Sequence, residues 1–208
     1  LNSPDRQVRT LALKELDLAD YGVLRALAPN VDAQALRSRL DLQYEADLKP
    51  IRILLLGLSR EQVDTDFFEA GIDRNAPFSG GVLGAYATAM IEHGGPDAVV
   101  RLVNRYLRDQ ALPSISRELL TEALAIHSIA NGAAIRESIR AALDQAIRDD
   151  PSLAPMVARH FGARYDWSQS DAIRDLVQSG TLTSPLEILL LTQYVSLAKE
   201  AEEQNCHI

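Results

Sequence analysis

Two short patterns alternate along this chain, and they constrain its fold more than any other feature. In the first pattern an arginine stands just ahead of a run of apolar residues, and its copies begin at Val8, Ile51 and Ser116. In the second pattern an alanine precedes a β-branched residue, and its copies begin at Asp97, Ala133 and Asp171. The copies of the second pattern start 36 and 38 residues apart, which is the length of one helical hairpin. A single hairpin cannot bury its apolar face alone, so successive hairpins are predicted to stack.

Helix start and stop signals divide the chain into about 11–12 helices. No segment shows the regular alternation of apolar and polar residues that is typical of a β-strand. Gly94-Gly95 ends a helix rich in small residues, and Asn131-Gly132 marks a tight turn between two periodic segments. The stretch from Gly95 to Asp150 therefore predicts helix, break, helix, turn, helix. The predicted helix caps are Ser3, Asp32 and Ser79. The predicted class is all-α.

Apolar residues at helical spacing predict which faces are buried. In the first helix these residues are Val8, Leu11, Ala12 and Leu16. Between Asp47 and Leu58 they nearly surround the axis, which predicts a deeply buried helix. In the stacked hairpins, burial of Leu124, Ile135 or Ile139 is expected to contribute ~1.5–3 kcal/mol each. The polar tail after Ala198 is expected to leave the last helix and to favour a cap at the end of the array.

The alternation resembles the HEAT repeat, in particular the HEAT-like repeats named after phycobilisome lyases. In that family an apolar-Arg-x-x-apolar opening marks the first helix, and a small residue followed by a β-branched one marks the second. The resemblance implies a right-handed α-α superhelix of stacked hairpins whose second helices line a concave surface. Tetratricopeptide repeats have a similar period, but their tryptophan, glycine and tyrosine markers are not in register here.

Length and composition limit the domain organisation, the cellular compartment and the kinds of partner that the chain can have. We expect residues 1–208 to form a single repeat domain, and a chain that begins with Leu1 and has no signal segment is expected to be a fragment of a longer protein. The apolar runs are too short to span a bilayer. Cys206 is the only cysteine, which favours a reducing, cytoplasmic compartment without proving one. The net charge of −8 argues against an unaided nucleic-acid binder.

No local arrangement predicts catalysis, a metal site or a cofactor. His127 shares a helix with Glu118 and Glu122, but the helical rotation between them places neither acid on its face. Glu92 and His93 are adjacent, and adjacent helical residues do not face each other. A phosphate site at Ser79-Gly80-Gly81 lacks the lysine and hydroxyl residue of a P-loop, so close helix packing explains these glycines better.

The residues predicted to bind a partner are Arg101, Arg105, Arg136, Arg140, Arg174 and Trp167. The arginines recur at helical spacing and in register between hairpins, which could form a basic strip for acidic peptides or phosphates. Interspersed acids also fit an ordinary solvated face. Trp167 could anchor a partner peptide, or it could hold a short connection against the preceding hairpin.

These features predict a non-enzymatic interaction or scaffold module that binds a protein partner or joins domains of a longer chain. The alternative is a nucleic-acid-binding repeat of the DNA glycosylase type, which also resembles HEAT arrays but needs a strongly basic groove. A third possibility is a lyase-type chaperone that delivers a chromophore, and it rests on fold analogy alone.

Overall fold

The computed structural model describes residues 1, 3, 5–27, 30–59 and 65–205, apart from the side chains at 44, 65 and 205. Within these residues every regular element is helical and no strand occurs, so the chain is all-α. The eleven α-helices of the described part are α1 Arg6–Asp17, α2 Tyr21–Leu27, α3 Ala33–Arg37, α4 Lys49–Leu58, α5 Thr65–Asn75, α6 Leu83–Leu102, α7 Ser114–Ala130, α8 Ala133–Asp149, α9 Ala154–Gly162, α10 Ser170–Gln178 and α11 Pro185–Asn205.

The helix interruption predicted at Gly94-Gly95 and the turn predicted at Asn131-Gly132 are both present. Gly95 adopts a φ of 60° inside α6 and interrupts its helical geometry. Glycine suits this position because a side chain at positive φ would be strained. A π-helical turn, Val103–Leu107, continues the segment that follows. Asn131 and Gly132 separate α7 from α8, as their turn chemistry predicts.

Contacts between the helices follow two series that share α6 and end at α11. In one series α4 contacts α6, α6 contacts α7, α7 contacts α9, and α9 contacts α11. In the other, α5 contacts α6, α6 contacts α8, α8 contacts α10, and α10 contacts α11. The core runs through both series. The burial predicted for α4, Leu124 and Ile139 is confirmed, whereas Ile135 is only partly buried.

The arginine of the first repeated pattern has the same structural role in each copy. Each guanidinium donates a hydrogen bond to a carbonyl oxygen of the segment before its helix: Arg9 to Ser3 (2.6 Å), Arg52 to Arg39 (3.2 Å) and Arg117 to Leu107 (3.1 Å). Arg52 and Arg117 are buried and also form ion pairs, with Glu45 and Asp150 respectively. In each copy of the pattern, the arginine therefore connects its helix to the preceding segment of the chain through a hydrogen bond.

The N-terminal helix differs from its prediction. Asp5 rather than Ser3 caps α1, and the Asp5 side chain accepts a backbone N–H of the first turn. Val8 and Leu11 are 52% and 61% exposed, while Leu13 is buried. α1 packs on α4 and on residues 43–48. The position of these neighbours, and not the apolar pattern alone, decides which face of α1 is buried.

Three other helix ends were predicted, with different outcomes. Asp32 caps α3 as expected, since its side chain accepts the Ala35 N–H at 2.9 Å. Ser79 does not cap α6; it has a φ of 51° and ends a 3-10 turn that precedes that helix. The tail after Ala198 stays helical to the end of α11. Its alanine, lysine and glutamate residues are good helix formers, which explains why polarity did not end the helix.

Candidate functional site

An open groove of about 540 Å³ lies between the α7–α8 turn and the loop that joins α9 to α10. Its lining is Ser128, Ile129, Ala133, Arg136, Glu137, Arg140, Tyr165, Asp166, Trp167 and Ser168. Arg136, Arg140 and Trp167 are three of the residues predicted to bind a partner. The structure brings these three together on one surface, while binding itself stays a prediction.

Packing holds the aromatic wall of the groove in place. The Trp167 ring meets Tyr194 of α11 edge to face, with the ring centroids 5.1 Å apart. The Tyr194 hydroxyl donates a 2.7 Å hydrogen bond to the Asp166 carbonyl oxygen. Gly162 lets this ring approach α9, because a Cβ at that position would lie 3.3 Å from the Tyr194 ring. Trp167 is therefore half-buried between α9 and α11 and fixes the loop, while it still lines the groove.

Of the two arginines that line the groove, Arg136 is the one without an acidic partner among the described residues. Arg140 donates to both carboxylate oxygens of Glu137, at 2.6 and 3.0 Å. The Asp166 carboxylate accepts the backbone N–H of Ser168 at 2.9 Å. Arg136 is exposed and makes no ion pair or side-chain hydrogen bond with any residue that the structure describes. Its guanidinium is the group most available to an incoming anion.

The other predicted arginines lie outside the lining of this groove, and each has an acidic neighbour. The pairs are Arg101–Glu69 (3.9 Å), Arg105–Glu69 (2.5 Å), Arg105–Asp73 (2.9 Å) and Arg174–Asp171 (2.8 Å). These acids offset much of the positive charge that a continuous basic strip would need.

A second, largely buried polar region lies where α2, α6 and α7 meet. We call it the Glu92 cluster; it comprises Tyr21, Arg25, Glu92, His127 and Asn131. The Glu92 carboxylate accepts hydrogen bonds from the Tyr21 hydroxyl at 3.0 Å, the Arg25 Nε at 2.9 Å and the Asn131 amide at 3.3 Å. Arg25 reaches further, to the carbonyl oxygen at the end of α7. The cluster ties the short helix α2 to α6 and α7.

The hydrogen bonds of His127 define its protonation state. Its Nε2 lies 2.9 Å from the Thr88 carbonyl oxygen, which can only accept, so Nε2 carries the proton. Its Nδ1 faces the Asn131 amide nitrogen, which also donates to Glu92, so Nδ1 accepts. Burial lowers the pKa of His127 to about 4, against the opposing effects of the Thr88 carbonyl and the Glu92 charge. The imidazole of His127 is therefore neutral, fully buried and hydrogen-bonded at both ring nitrogens.

Sequence reasoning missed this cluster because it compared His127 only with acids on its own helix. In the structure the Glu118 carboxylate lies 2.6 Å from the Nε2 of His160. His127 packs against α6, where it meets the Thr88 carbonyl oxygen. The signal that could have found the cluster is the repeat length. The Thr88–His127 and Glu92–Asn131 contacts each span 39 residues, close to the spacing of the repeated patterns.

Within the described residues, no group of three or more His, Cys, Asp or Glu side chains is arranged to bind a metal ion. In the same part of the chain, no helix combines the length and the apolar character that crossing a bilayer requires. Comparison of the chain with protein-family models, curated proteins and solved structures finds no match. The function must therefore be argued from the groove and the Glu92 cluster themselves.

Proposed function

We propose that this chain is a non-enzymatic protein–protein interaction module built of stacked HEAT-like hairpins. It binds a protein partner or joins neighbouring domains of a longer chain. The observation that carries this proposal is a recurring sequence separation between residues that hydrogen-bond across hairpins.

Four of these contacts span 37 to 42 residues, and others, such as Arg105–Asp73 and Arg117–Asp150, span 32 and 33. The Ser79–Ser116, Thr88–His127, Arg108–Asp149 and Glu118–His160 contacts span 37, 39, 41 and 42 residues. In a stack of hairpins each residue meets its counterpart about one repeat later, so a recurring separation of one hairpin supports a repeat array. The helix α2 does not follow this register, because Tyr21 and Arg25 reach Glu92 across 71 and 67 residues.

The chemistry of the two polar regions supports binding rather than catalysis. In the Glu92 cluster His127 is fully buried, and the Glu92 carboxylate, 14% exposed, accepts three hydrogen bonds from its neighbours. The groove, in contrast, exposes the guanidinium of Arg136, which pairs with no described residue, together with Tyr165 and Ile129, which are 83% and 54% exposed. Tyrosine and arginine are among the side chains that supply most of the binding energy at protein interfaces.

The test is affinity capture with the domain as bait in its native lysate, after nuclease treatment, with washes at low and high salt. We expect a specific protein, identified by mass spectrometry, to remain at high salt. A bait carrying Leu124→Asp is the unfolded control, because that side chain is fully buried in the native chain. A parallel capture from lysate without nuclease treatment tests the nucleic-acid alternative. If the treated lysate yields no bound protein, and the untreated lysate yields nucleic acid that binds only at low salt, the proposal is contradicted and the nucleic-acid alternative is favoured.

A further inference from the structure

Tyr165 occupies a backbone position that normally belongs to glycine. Its φ is 56°, its N–H donates to the Gly162 carbonyl at 3.1 Å, and the Asp166 N–H donates to the Phe161 carbonyl at 3.0 Å. These two bonds form a Schellman ending for α9, in which the left-handed residue is usually glycine because a Cβ there is strained. The Tyr165 side chain is 83% exposed, so the strain is not offset by burial.

The other residues with positive φ in the described part of the chain are explained by the fold itself. Gly95 and Gly180 are glycines. Ser79 ends a turn in the left-handed conformation, but its hydroxyl hydrogen-bonds the Ser116 hydroxyl at 2.9 Å. Tyr165 makes no side-chain hydrogen bond or aromatic contact with a described residue. A strained residue whose side chain makes no stabilising contact within the described fold suggests a contact with a binding partner.

Arg136 lies along the same groove, and its exposed guanidinium likewise makes no contact that the described fold uses. Its charge has no partner among the described residues, while the neighbouring Arg140 is paired with Glu137. A ligand that complements both residues presents an anion to Arg136 and an apolar surface to the Tyr165 ring. The acidic side chains of Glu137 and Asp166 in the groove wall disfavour a polyanion such as a nucleic acid.

We infer that Tyr165 and Arg136 are the two anchors of a site for a peptide segment that presents one carboxylate or phosphate group beside an apolar side chain. This inference rests on the proposed interaction function, and it adds the surface and the chemistry of the partner. Trp167 supports the site by fixing the loop against Tyr194.

The test selects short peptides from a displayed random library on the wild-type domain, and measures the affinity of the enriched peptides by fluorescence anisotropy. We expect Arg136→Gln and Tyr165→Gly each to weaken binding by about tenfold or more. Arg148→Gln is the matched control, because Arg148 is an exposed arginine of the same helix that does not line the groove. Tyr165→Gly removes the ring and relieves the strain together, so a thermal midpoint at or above that of wild type excludes unfolding as the cause.

A second arm identifies the anion. Replacing the acidic residue of an enriched peptide by glutamine should weaken its binding to wild type but not to Arg136→Gln. A phosphoserine at that position that binds more tightly than the acid identifies phosphate as the preferred group. Three results would overturn the inference: a library that yields no enriched peptide, enriched peptides without an acid, or variants that bind the enriched peptides as tightly as wild type does.

The outcome also separates this inference from the proposed function. If the protein captured from lysate still binds a domain carrying both Arg136→Gln and Tyr165→Gly, the anchor site is wrong and the interaction function stands. If wild type captures no specific protein, both fall.

Discussion

The Glu92 cluster and the groove share one end of α7, but they differ in whether their polar side chains are paired within the fold. His127 and Asn131 belong to the cluster, whereas Ser128 and Ile129 line the groove. Neighbouring helical positions face in different directions, so one end of α7 serves both the interior and the surface. In the Glu92 cluster the polar groups are paired with one another, whereas in the groove no described residue pairs with the charge of Arg136.

The difference follows from solvation. A buried polar group that loses its partner costs about 1–3 kcal/mol, and more when it is charged. An exposed guanidinium is solvated by water and needs no partner from the fold. We therefore expect changes in the cluster to alter stability, and changes in the groove to alter binding.

The largest effect on stability is expected for Glu92→Ala. The change removes the shared acceptor of Tyr21, Arg25 and Asn131, and the side chains of Glu92 and Arg25 are only 14% and 35% exposed. We expect the free energy of unfolding in urea to fall by about 2–3 kcal/mol. The matched control is Glu137→Ala, an acid of the groove whose side chain is 63% exposed, which should leave stability unchanged. Equal effects of the two substitutions would erase the distinction between the regions.

Stability should also depend on pH through His127. Its pKa is about 4 in the folded chain and near the ordinary 6.5 when unfolded. Between these values the unfolded chain binds more protons, so the free energy of unfolding falls as the pH drops through the window from 6.5 to 4. The loss should reach about 2 kcal/mol at pH 5. Protonation would also place an Nδ1–H against the donating amide of Asn131.

Urea titrations at several pH values measure this loss. His127→Gln should flatten the dependence over the window, and Arg136→Gln should leave it as in wild type. A slope that survives in His127→Gln would assign the pH dependence to other groups.

A smaller effect of opposite sign is expected for Tyr165→Gly. Removing the side chain from a left-handed position should raise the free energy of unfolding by about 1 kcal/mol. The reverse change is available at Gly180, which has a φ of 67° and open space where a Cβ would lie. Gly180→Ala should lower stability by a similar amount. If Tyr165→Gly is destabilising instead, the ring contributes to the fold and not to a partner.

The smallest effect on stability is expected for Arg136→Gln, because the wild-type side chain has no described partner to lose. Its unfolding curve in urea should superimpose on that of wild type. A destabilisation comparable to that of Glu92→Ala would place Arg136 within the fold and remove the contrast on which the groove is argued.

The amino-acid sequence by itself determined the features that depend on neighbours along the chain. The all-α class, the breaks at Gly95 and at Asn131-Gly132, the Asp32 cap and the buried helix α4 follow from backbone conformation and apolar periodicity. In the candidate site, register between hairpins singled out Arg136 and Arg140, and Trp167 was found because it is the only tryptophan.

Only the tertiary structure decided which elements meet. Glu92 and His127 are on different helices, so no local pattern links them, and the burial of one face of α1 depends on where α4 lies. The conformation of Tyr165 was also hidden, because residues in left-handed helix endings are usually glycine. Contacts between distant segments determine which residues are paired, buried or strained, and among the described residues they provide no side-chain partner for Arg136 or Tyr165.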